Sequence, residues 1–264
     1  MSRQSEASSD EPADRPAVDA GADLVGEAKA RQVADMFTRI VPRYDLMNTL
    51  MTFGLDASWR KLTVASVLPA DPAELSEATA LDVAAGTGEL TFALSLAGVK
   101  AAVGLDFTPA MVEAARAKAE RRGDERVSFV VGDALALPFA DESFDAATVG
   151  FGLRNVADLP RAIVEMRRVL RPGGLMACLE MTYPPSVLIR WAFRPFFHGL
   201  VPLIGGLVSG DPVAYRYLPE SVERFPSARD LARLMTEAGL TRVRYRYLGL
   251  GTVALHLAEK RSAK

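Results

Sequence analysis

The sequence predicts an open α/β fold with a mostly parallel sheet and helices on both of its faces. From Leu81 onward, short apolar runs alternate with helical patterns, and this alternation is typical of parallel strands joined by helical crossovers. The runs are nearly continuously apolar, as expected for strands that are buried on both faces. Two final runs, Val243 to Leu248 and Thr252 to Leu257, follow each other so closely that they predict an antiparallel pair. We therefore expect seven strands, one of them antiparallel.

Each element of this sheet follows from a local pattern. The first five strands are predicted at ALDVAA, AAVGLDF, VSFVVGD, FDAATVGF and LMACLE. Helical patterns connect them at Leu90 to Ala97, Ala110 to Arg122 and Ala162 to Leu170. Pro172 and the two glycines after it end the last of these helices and return the chain to the sheet. A further helix is predicted at Ala228 to Ala238, before the antiparallel pair.

The residues before the sheet predict two different segments. Residues 1–28 are rich in Ser, Ala, Asp, Glu and Pro, so they offer too little apolar surface to fold and predict a disordered tail. Lys29 to Trp59 carries apolar residues at helical spacing, with an interruption at Pro42. We therefore predict that residues 29–70 form an N-terminal helical cap. We expect residues 29–264 to form a single domain.

Composition excludes several classes of partner and site. The 31 basic and 33 acidic side chains give a formal net charge of -2, so no nucleic-acid partner is expected. The single cysteine, Cys178, lies in an apolar run, and without a Cys/His cluster no metal site is predicted. The N-terminus lacks the basic and apolar pattern of a secretory signal, which favours a cytoplasmic protein.

A glycine-rich turn follows the first strand. Gly86 and Gly88 lie between this strand and the next helix, where open sheets bind ligands outside the carboxyl ends of their strands. Packing alone also explains glycines in such turns. Thr91 replaces the third glycine of a dinucleotide fingerprint, and Glu89 would repel a phosphate at this helix start. A ligand with an ammonium group, such as a methionine derivative, suits Glu89 better.

The next two strands each end in an aspartate. Asp106 ends the second strand, at the position from which a carboxylate accepts hydrogen bonds from ribose hydroxyls. Capping of the helix that begins at Thr108 is the alternative interpretation. Asp133 ends the third strand, where it can accept a hydrogen bond from an adenine amino group. Together the three strand ends predict a site for an adenosyl ligand.

Several longer segments resemble one protein family. The chain is similar to the ubiquinone and menaquinone biosynthesis C-methyltransferases, the UbiE/MenG family, from about Lys29 to Lys260. LDVAAGTGELT and the aspartate positions are shared by methyltransferases generally, whereas the narrower family signals are RYDLMN, FGLRNV and YLPESVERFP. The resemblance implies a Rossmann-like class I methyltransferase fold with an N-terminal helical segment and a helical lid insert.

The same resemblance implies S-adenosyl-L-methionine as the cofactor. Besides the glycine turn, the positions that hold it in this family match Thr91, Asp106, Asp133 and Ala134. Gly150 stands where some members have a serine before FGLRN, which removes one hydroxyl contact. Glu89 replaces the usual Asp and keeps its charge, whereas EMTYP in place of EFSKP leaves the nearby substrate contacts open.

The implied reaction is methylation of a ring carbon of a prenylated hydroquinone. We expect conversion of demethylmenaquinol to menaquinol, the last step of menaquinone biosynthesis. The alternatives are 2-polyprenyl-6-methoxy-1,4-benzoquinol, the ubiquinone precursor, and another lipid-like acceptor. A nicotinamide-dependent oxidoreductase would require GxGxxG and usually YxxxK, which this chain lacks. A protein that binds the cofactor without catalysis is the other competing class.

Methylation at carbon requires a phenolic oxygen to lose its proton, because the resulting charge makes the neighbouring ring carbon nucleophilic. Arg154 in FGLRN is a candidate to stabilise the phenolate, and Asn155 is a candidate to orient the ring oxygen or a water. Tyr44 and Asp45 in RYDLMN are candidates to close over the site, with Asp45 as the base. Helix capping and packing explain Tyr44 and Asp45 equally well. No metal is required.

Other interpretations of the polar side chains stay open. Arg154 can instead pair with Asp158 or Glu165 across one helix turn. His198 is a weaker candidate base. His256 lies in the strand VALHL, where a structural histidine is expected.

Residues 184–218 form an apolar insert between the fifth strand and the last helix. Its central part, Val187 to Val208, contains arginines and prolines that argue against a membrane-spanning helix. One interpretation is a lid that receives a polyprenyl tail or rests on the inner face of the membrane, which would make the protein peripheral. The other is a helix that covers the sheet edge. The oligomeric state stays open, with a homodimer as one option.

Overall fold

A single sheet forms the centre of the computed structural model, which describes residues 33–195, Gly199 and residues 212–262. Its strands are β1 (Thr79–Val83), β2 (Ala101–Asp106), β3 (Val127–Val131), β4 (Phe144–Gly150), β5 (Leu170–Met181), β6 (Leu240–Leu248) and β7 (Val253–Lys260). They lie in the order β3-β2-β1-β4-β5-β7-β6. β7 is antiparallel to both of its neighbours, and β1 to β5 pair in parallel. The predicted mostly parallel sheet with one antiparallel strand is confirmed.

Helices connect and cover these strands. Before the sheet lie α1, described over residues 33–40, then α2 (Tyr44–Met51), α3 (Leu55–Val67) and α4 (Pro72–Glu77). The parallel strands are connected by helices that include α5 (Glu89–Ala97), α6 (Pro109–Arg122) and α7 (Leu159–Val169). After β5 come α8 (Val187–Pro195), α9 (Pro212–Arg224) and α10 (Ala228–Glu237).

The N-terminal helical segment is broken twice. Pro42 lies in a 3-10 turn between α1 and α2, as its missing backbone donor predicts. A second break separates α2 from α3, where Phe53 and Gly54 adopt positive φ values of 53° and 74°. The predicted helical pattern through to Trp59 was wrong at this turn, because the spacing of apolar residues does not show which residue has a positive φ.

The predicted tail and residues 196–198 and 200–211 of the insert lie outside the described residues, so the division into segments stays a prediction.

Two apolar clusters bury the two faces of the sheet. On one face, Ile163 of α7 and Leu231 of α10 belong to the same buried cluster as Leu81 of β1. On the other face, Val64 of α3 and Leu94 of α5 are buried. Full burial of such a side chain contributes about 1.5–3 kcal/mol. Because β1 to β4 are parallel and covered on both faces, the loops after them gather at one edge of the sheet.

None of the described helices combines the length and the apolar character that crossing a membrane requires.

Candidate functional site

The turn after β1 contains two glycines with different surroundings. Gly86 and Gly88 have φ values of 54° and 89°, which glycine adopts without steric cost. A Cβ on Gly88 would lie 2.6 Å from Cζ of Phe129, so packing against the core requires this glycine. A Cβ on Gly86 would lie 3.5 Å from Cε1 of Tyr44, and Gly86 borders an open cavity. Of the two, Gly86 is therefore the one that a ligand can approach.

A cavity of about 980 Å³ lies at the carboxyl edge of β1 to β4. The predicted site residues that line it are Tyr44, Gly86, Asp106, Asp133, Ala134 and Asn155. Two others, Asp45 and Gly150, line a smaller cavity beside it. Gly88, Thr91 and Arg154 line neither cavity. The structure thus brings together the ends of the first three strands, as predicted, but not every candidate residue.

Asp106 faces both the cavity and the glycine turn. Its Oδ2 accepts a hydrogen bond from the backbone N–H of Gly86, and its Oδ1 accepts one from Thr108, each at 2.8 Å. Burial raises the pKa of Asp106, although both backbone hydrogen bonds lower it. The bond to Thr108 involves the residue before α6 and no N–H inside the helix, so Asp106 does not cap α6, contrary to the alternative interpretation. A carboxylate has about four acceptor positions, so these two backbone bonds do not use all of them and a ligand hydroxyl can still be accepted.

Asp133 and Ala134 follow β3 at the rim of the cavity. Asp133 is exposed, and its Oδ1 accepts a hydrogen bond from the backbone N–H of Leu135 at 2.9 Å. Ala134 is buried. An exposed acceptor beside a buried apolar residue suits a planar ring with a polar edge.

The smaller cavity, of about 160 Å³, adjoins the larger one. The two share Tyr44, Ala84 and Phe151 as lining residues. The charged side chains that line the smaller cavity are Asp45, Asp56, Arg60, Asp82 and Glu89. Of these, Asp56, Arg60 and Asp82 were not among the residues singled out from the sequence.

Asp82 is a buried carboxyl near the carboxyl end of β1. It accepts hydrogen bonds from the hydroxyl of Thr91 at 2.8 Å and from that of Thr148 at 3.1 Å. Burial is the larger influence and raises the pKa of Asp82 to about 7, although both hydroxyl groups lower it. An acidic residue inside the apolar run ALDVAA was the signal for it in the sequence.

Thr91 lies beneath the glycine turn and not in the cavity. Its side chain has 0% exposure, and its hydroxyl donates to Asp82. A Cβ on Gly104 of β2 would lie 2.8 Å from this hydroxyl oxygen, so the packing around it is close. The side chain of Thr91 is thus not exposed to either cavity, and the predicted cofactor contact of Thr91 stays a prediction.

Asp45 connects the N-terminal helices to the glycine turn. Its Oδ1 accepts a hydrogen bond from the hydroxyl of Thr87 and its Oδ2 one from Nζ of Lys118, each at 2.5 Å. Nζ of Lys118 also lies 2.9 Å from Oε1 of Glu89, so Glu89 already has a cation of the protein as its partner. Both oxygens of Asp45 are engaged, and a role in holding α2 over the turn competes with its predicted role as base.

Arg154 forms a buried ion pair with Glu180. Its Nη1 lies 2.6 Å from Oε1 of Glu180, and the two side chains are 8% and 1% exposed. Asp158 instead caps α7, and Glu165 pairs with Arg168, so neither is the partner of Arg154. Glu180 was not among the residues predicted from the sequence, although it is the acidic residue that ends the apolar run LMACLE.

Asn155 and Tyr44 present polar atoms at the larger cavity. Within the described part of the chain, Oδ1 of Asn155 is buried without a hydrogen-bond partner. Burial raises the pKa of Tyr44 more than the nearby Arg154 guanidinium lowers it. Tyr44 therefore keeps its proton at neutral pH and is a hydrogen-bond donor. An acceptor and a donor at one cavity can bind a hydroxylated ring.

His256 and Cys178 are buried and have structural roles. His256 is buried, and its Nε2 lies 2.7 Å from the carbonyl oxygen of Ala228, as a structural histidine predicts. Burial raises the pKa of the Cys178 thiol, which disfavours a nucleophilic thiolate. His198 lies outside the described residues. Over residues 33–195 and 212–262, no group of three or more side chains is arranged to hold a metal ion.

Known proteins similar in sequence share most of this chain. The sequence model of the ubiE/COQ5 methyltransferase family matches residues 25–260. A demethylmenaquinone methyltransferase of Thermus thermophilus is 46% identical over 226 residues, which are 85% of this chain and 100% of that protein. The ubiquinone/menaquinone biosynthesis C-methyltransferase UbiE of Paracoccus denitrificans is 40% identical over 86% of this chain and 90% of that protein.

A solved structure similar to this chain is that of a SAM-dependent methyltransferase from Thermotoga maritima. The two superpose with a TM-score of 0.61 over 86% of this chain and 99% of that chain, at 21% identity. At this identity the likeness shows the fold alone, which is the Rossmann-like fold of class I methyltransferases. The match over residues 25–260 and the identity to full-length relatives show more than the fold: the chain belongs to the ubiE/COQ5 methyltransferase family.

Proposed function

We propose that this chain transfers a methyl group from S-adenosylmethionine to a ring carbon of demethylmenaquinol and so forms menaquinol. The observation that carries the proposal is the cavity in which the ends of β1, β2 and β3 present Gly86, Asp106 and Asp133 side by side. Such strand ends are where open sheets bind ligands. The name of the Thermus thermophilus relative directs the proposal to demethylmenaquinol.

The residues at this edge fit the cofactor. Asp106 keeps acceptor positions for ribose hydroxyls, and the exposed Asp133 can accept a hydrogen bond from an adenine amino group. Gly86 lacks a side chain where a ligand would approach the backbone. When bound, S-adenosylmethionine supplies an electrophilic methyl group on a sulfonium sulfur.

The chain's own residues would activate the acceptor ring. The unpartnered Oδ1 of Asn155 can accept a hydrogen bond from a ring hydroxyl and so orient the ring. Tyr44, which keeps its proton, can donate to the phenolate oxygen that forms. Arg154 adds positive charge near Tyr44, and Glu180 holds it in place. Asp45 remains the candidate that receives the phenolic proton.

The benzoquinol precursor of ubiquinone is the second candidate substrate. The observation that favours it is the 40% identity to the Paracoccus denitrificans protein, whose name includes both quinones. The 46% identity to the Thermus thermophilus protein, whose name includes demethylmenaquinone only, favours the first substrate.

Helix α8 is proposed to receive the polyprenyl tail. Its side chains Val187, Leu188 and Trp191 are 70%, 76% and 79% exposed. Large apolar side chains at such exposure fit an apolar partner, which is a tail or a membrane surface. In this proposal the protein is peripheral to the inner face of the membrane, with contact through residues 187–208, part of which lies outside the described residues.

Product analysis tests the proposed reaction. The full chain is incubated with S-adenosylmethionine carrying a deuterated methyl group and with each reduced quinone in turn, and the products are analysed by mass spectrometry. We expect the label on the ring of demethylmenaquinol, with lower turnover of the benzoquinol. Equal or greater turnover of the benzoquinol would reverse the order of the two substrates, and unlabelled quinols in both reactions would reject the proposed function.

A further inference from the structure

An arginine side chain lines the smaller cavity. Among the lining residues that the structure describes, Arg60 of α3 is the one lysine or arginine. Its side chain is 18% exposed, so it is largely enclosed. The cavity meets the proposed cofactor site at Tyr44, Ala84 and Phe151. A ligand held at the glycine turn can therefore extend one end towards Arg60.

Asp56 fixes the position of Arg60. Nη1 of Arg60 lies 2.8 Å from Oδ2 of Asp56, one helical turn earlier. The Asp56 side chain is 4% exposed, and its Oδ1 accepts a hydrogen bond from the hydroxyl of Thr52 at 3.1 Å. A guanidinium group has five N–H donors, so this ion pair leaves donors for a second carboxylate. A planar, fixed guanidinium is the protein group best suited to bind a carboxylate through two hydrogen bonds.

The other charged groups of this cavity are carboxylates. Asp45 and Glu89 pair with Lys118, which approaches from α6. Asp82 accepts hydrogen bonds from two hydroxyls, and within the described residues no lysine or arginine forms an ion pair with it. An amino-acid group with an ammonium and a carboxylate suits such a cavity. The carboxylates attract its ammonium group. Arg60 can form an ion pair with its carboxylate.

We propose that Arg60 binds the carboxylate at the amino-acid end of the methyl donor, with Asp56 as its positioning residue. The inference rests on the proposed use of S-adenosylmethionine. The larger cavity also contains an arginine, Arg161, but its Nε donates to the carbonyl oxygen of Leu135 at 2.8 Å, close to Asp133. Arg161 thus lies at the end proposed for adenine, and Arg60 lies at the opposite end.

Recognition at Arg60 separates the methyl donor from related adenosine compounds. Decarboxylated S-adenosylmethionine keeps the sulfonium and the amine but lacks the carboxylate. Methylthioadenosine lacks the whole amino-acid end. Only S-adenosylmethionine of these three can form the proposed ion pair, so the three ligands isolate the contribution of Arg60.

Calorimetric titration of the full chain with these three ligands tests the inference. The wild type should bind S-adenosylmethionine about tenfold more tightly than its decarboxylated form, as expected for a hydrogen bond between charged groups. Arg60→Gln should lower the affinity for S-adenosylmethionine about tenfold and leave the other two affinities unchanged. Equal losses for all three ligands, or an unchanged affinity for S-adenosylmethionine, would overturn the role of Arg60.

Two further variants separate recognition from folding. Asp56→Asn combined with Arg60→Gln removes both charges, so that no buried carboxylate loses its partner, and should show the same selective loss. Arg126→Gln removes an arginine just before β3. It lies at the amino end of this strand, whereas the cavities lie at the carboxyl ends, so all three affinities should stay unchanged. Wild-type protein that binds none of the three ligands would overturn the proposed function together with this inference, whereas a failure confined to Arg60→Gln leaves the proposed function intact.

Discussion

Acidic side chains in and near the two cavities are chemically alike but have different neighbours. Asp106 accepts two backbone hydrogen bonds at the end of β2, and Asp133 is exposed at the end of β3. Asp82 is buried within the sheet, where Thr91 and Thr148 donate hydroxyl hydrogen bonds to it, and burial raises its pKa to about 7. Glu180 is buried as deeply but has the guanidinium of Arg154 beside it. The four carboxyl groups therefore differ in their bonding partners: backbone N–H groups, solvent, hydroxyls or a guanidinium.

Replacing Asp82 should change the pH dependence of stability. Because its pKa is about 7 in the folded protein and 3.8 is the ordinary value, the folded protein binds more protons between these pH values. The contribution of Asp82 to the free energy of unfolding therefore falls as the pH rises from about 4 to about 7. Asp82→Asn should remove on the order of 3 kcal/mol of this fall. Urea unfolding at several pH values measures it.

An exposed carboxyl provides the control for this measurement. Glu125 is exposed, and Glu125→Gln should leave the pH dependence as in the wild type. If the curves of Asp82→Asn and the wild type run parallel between pH 4 and pH 7, burial does not raise the pKa of Asp82.

At the scale of elements, helices outside the sheet complete the site. The start of α2 lies over the glycine turn through the contact of Asp45 with Thr87. α3 supplies Arg60 to the smaller cavity. α8 carries Leu188 and Trp191, which are exposed on its surface. The carboxyl ends of the strands thus provide a ligand-binding site common to open sheets, and the added helices determine which ligands can enter it.

Removing the apolar surface of α8 should weaken the binding of long-tailed substrates. The double variant with Leu188→Ser and Trp191→Ser is expected to raise KM about tenfold for a quinol with a long polyprenyl tail, because less apolar surface is buried. KM for a short-tailed quinol should stay the same. Steady-state kinetics with both quinols measure the difference.

A matched variant tests whether position on α8 matters. Leu96 at the end of α5 is 81% exposed and Leu188 is 76% exposed, so Leu96→Ser removes about as much apolar surface as Leu188→Ser alone removes from α8. It should leave KM unchanged for both quinols. Equal increases for long and short tails in the α8 variant would contradict the proposed tail contact.

At the scale of the whole molecule, the site joins segments that are distant in the chain. The larger cavity is lined by residues from α1 and α2, from the loops after β1, β2 and β3, and from the segment after β4. A ligand in it would contact all of these segments at once. Binding should therefore stabilise the folded chain against global unfolding.

Thermal unfolding should report this stabilisation. S-adenosylmethionine at about 100 times its Kd is expected to add about 2.7 kcal/mol, which raises Tm by about 5–10 °C for a chain of this size. Asp106→Ala should show a much smaller shift at the same concentration, because the ribose acceptor is lost. NADH should produce no shift. A shift with NADH and none with S-adenosylmethionine would support a nicotinamide-dependent enzyme instead.

Much of the fold and part of the site could be predicted from local patterns. The strands were recognised by their apolar runs, and Gly86, Asp106 and Asp133 by their places at the strand ends, because parallel strands end at one edge. The turn at Phe53 and Gly54 was missed, since it interrupts the helix without interrupting its apolar spacing. The full burial of the Thr91 side chain was also not foreseen, because sequence matching does not reveal burial.

The sequence by itself determined the order of strands and helices, the ligand-binding edge and the protein family, since apolar periodicity, turn glycines and longer motifs are properties of consecutive residues. The tertiary structure decided that β7 lies between β5 and β6, that Arg154 pairs with Glu180 and that the hydroxyl of Thr91 faces Asp82. These outcomes depend on which strands become neighbours and on how deeply each side chain is buried. Both are set by packing between residues far apart in the chain, which no local pattern records.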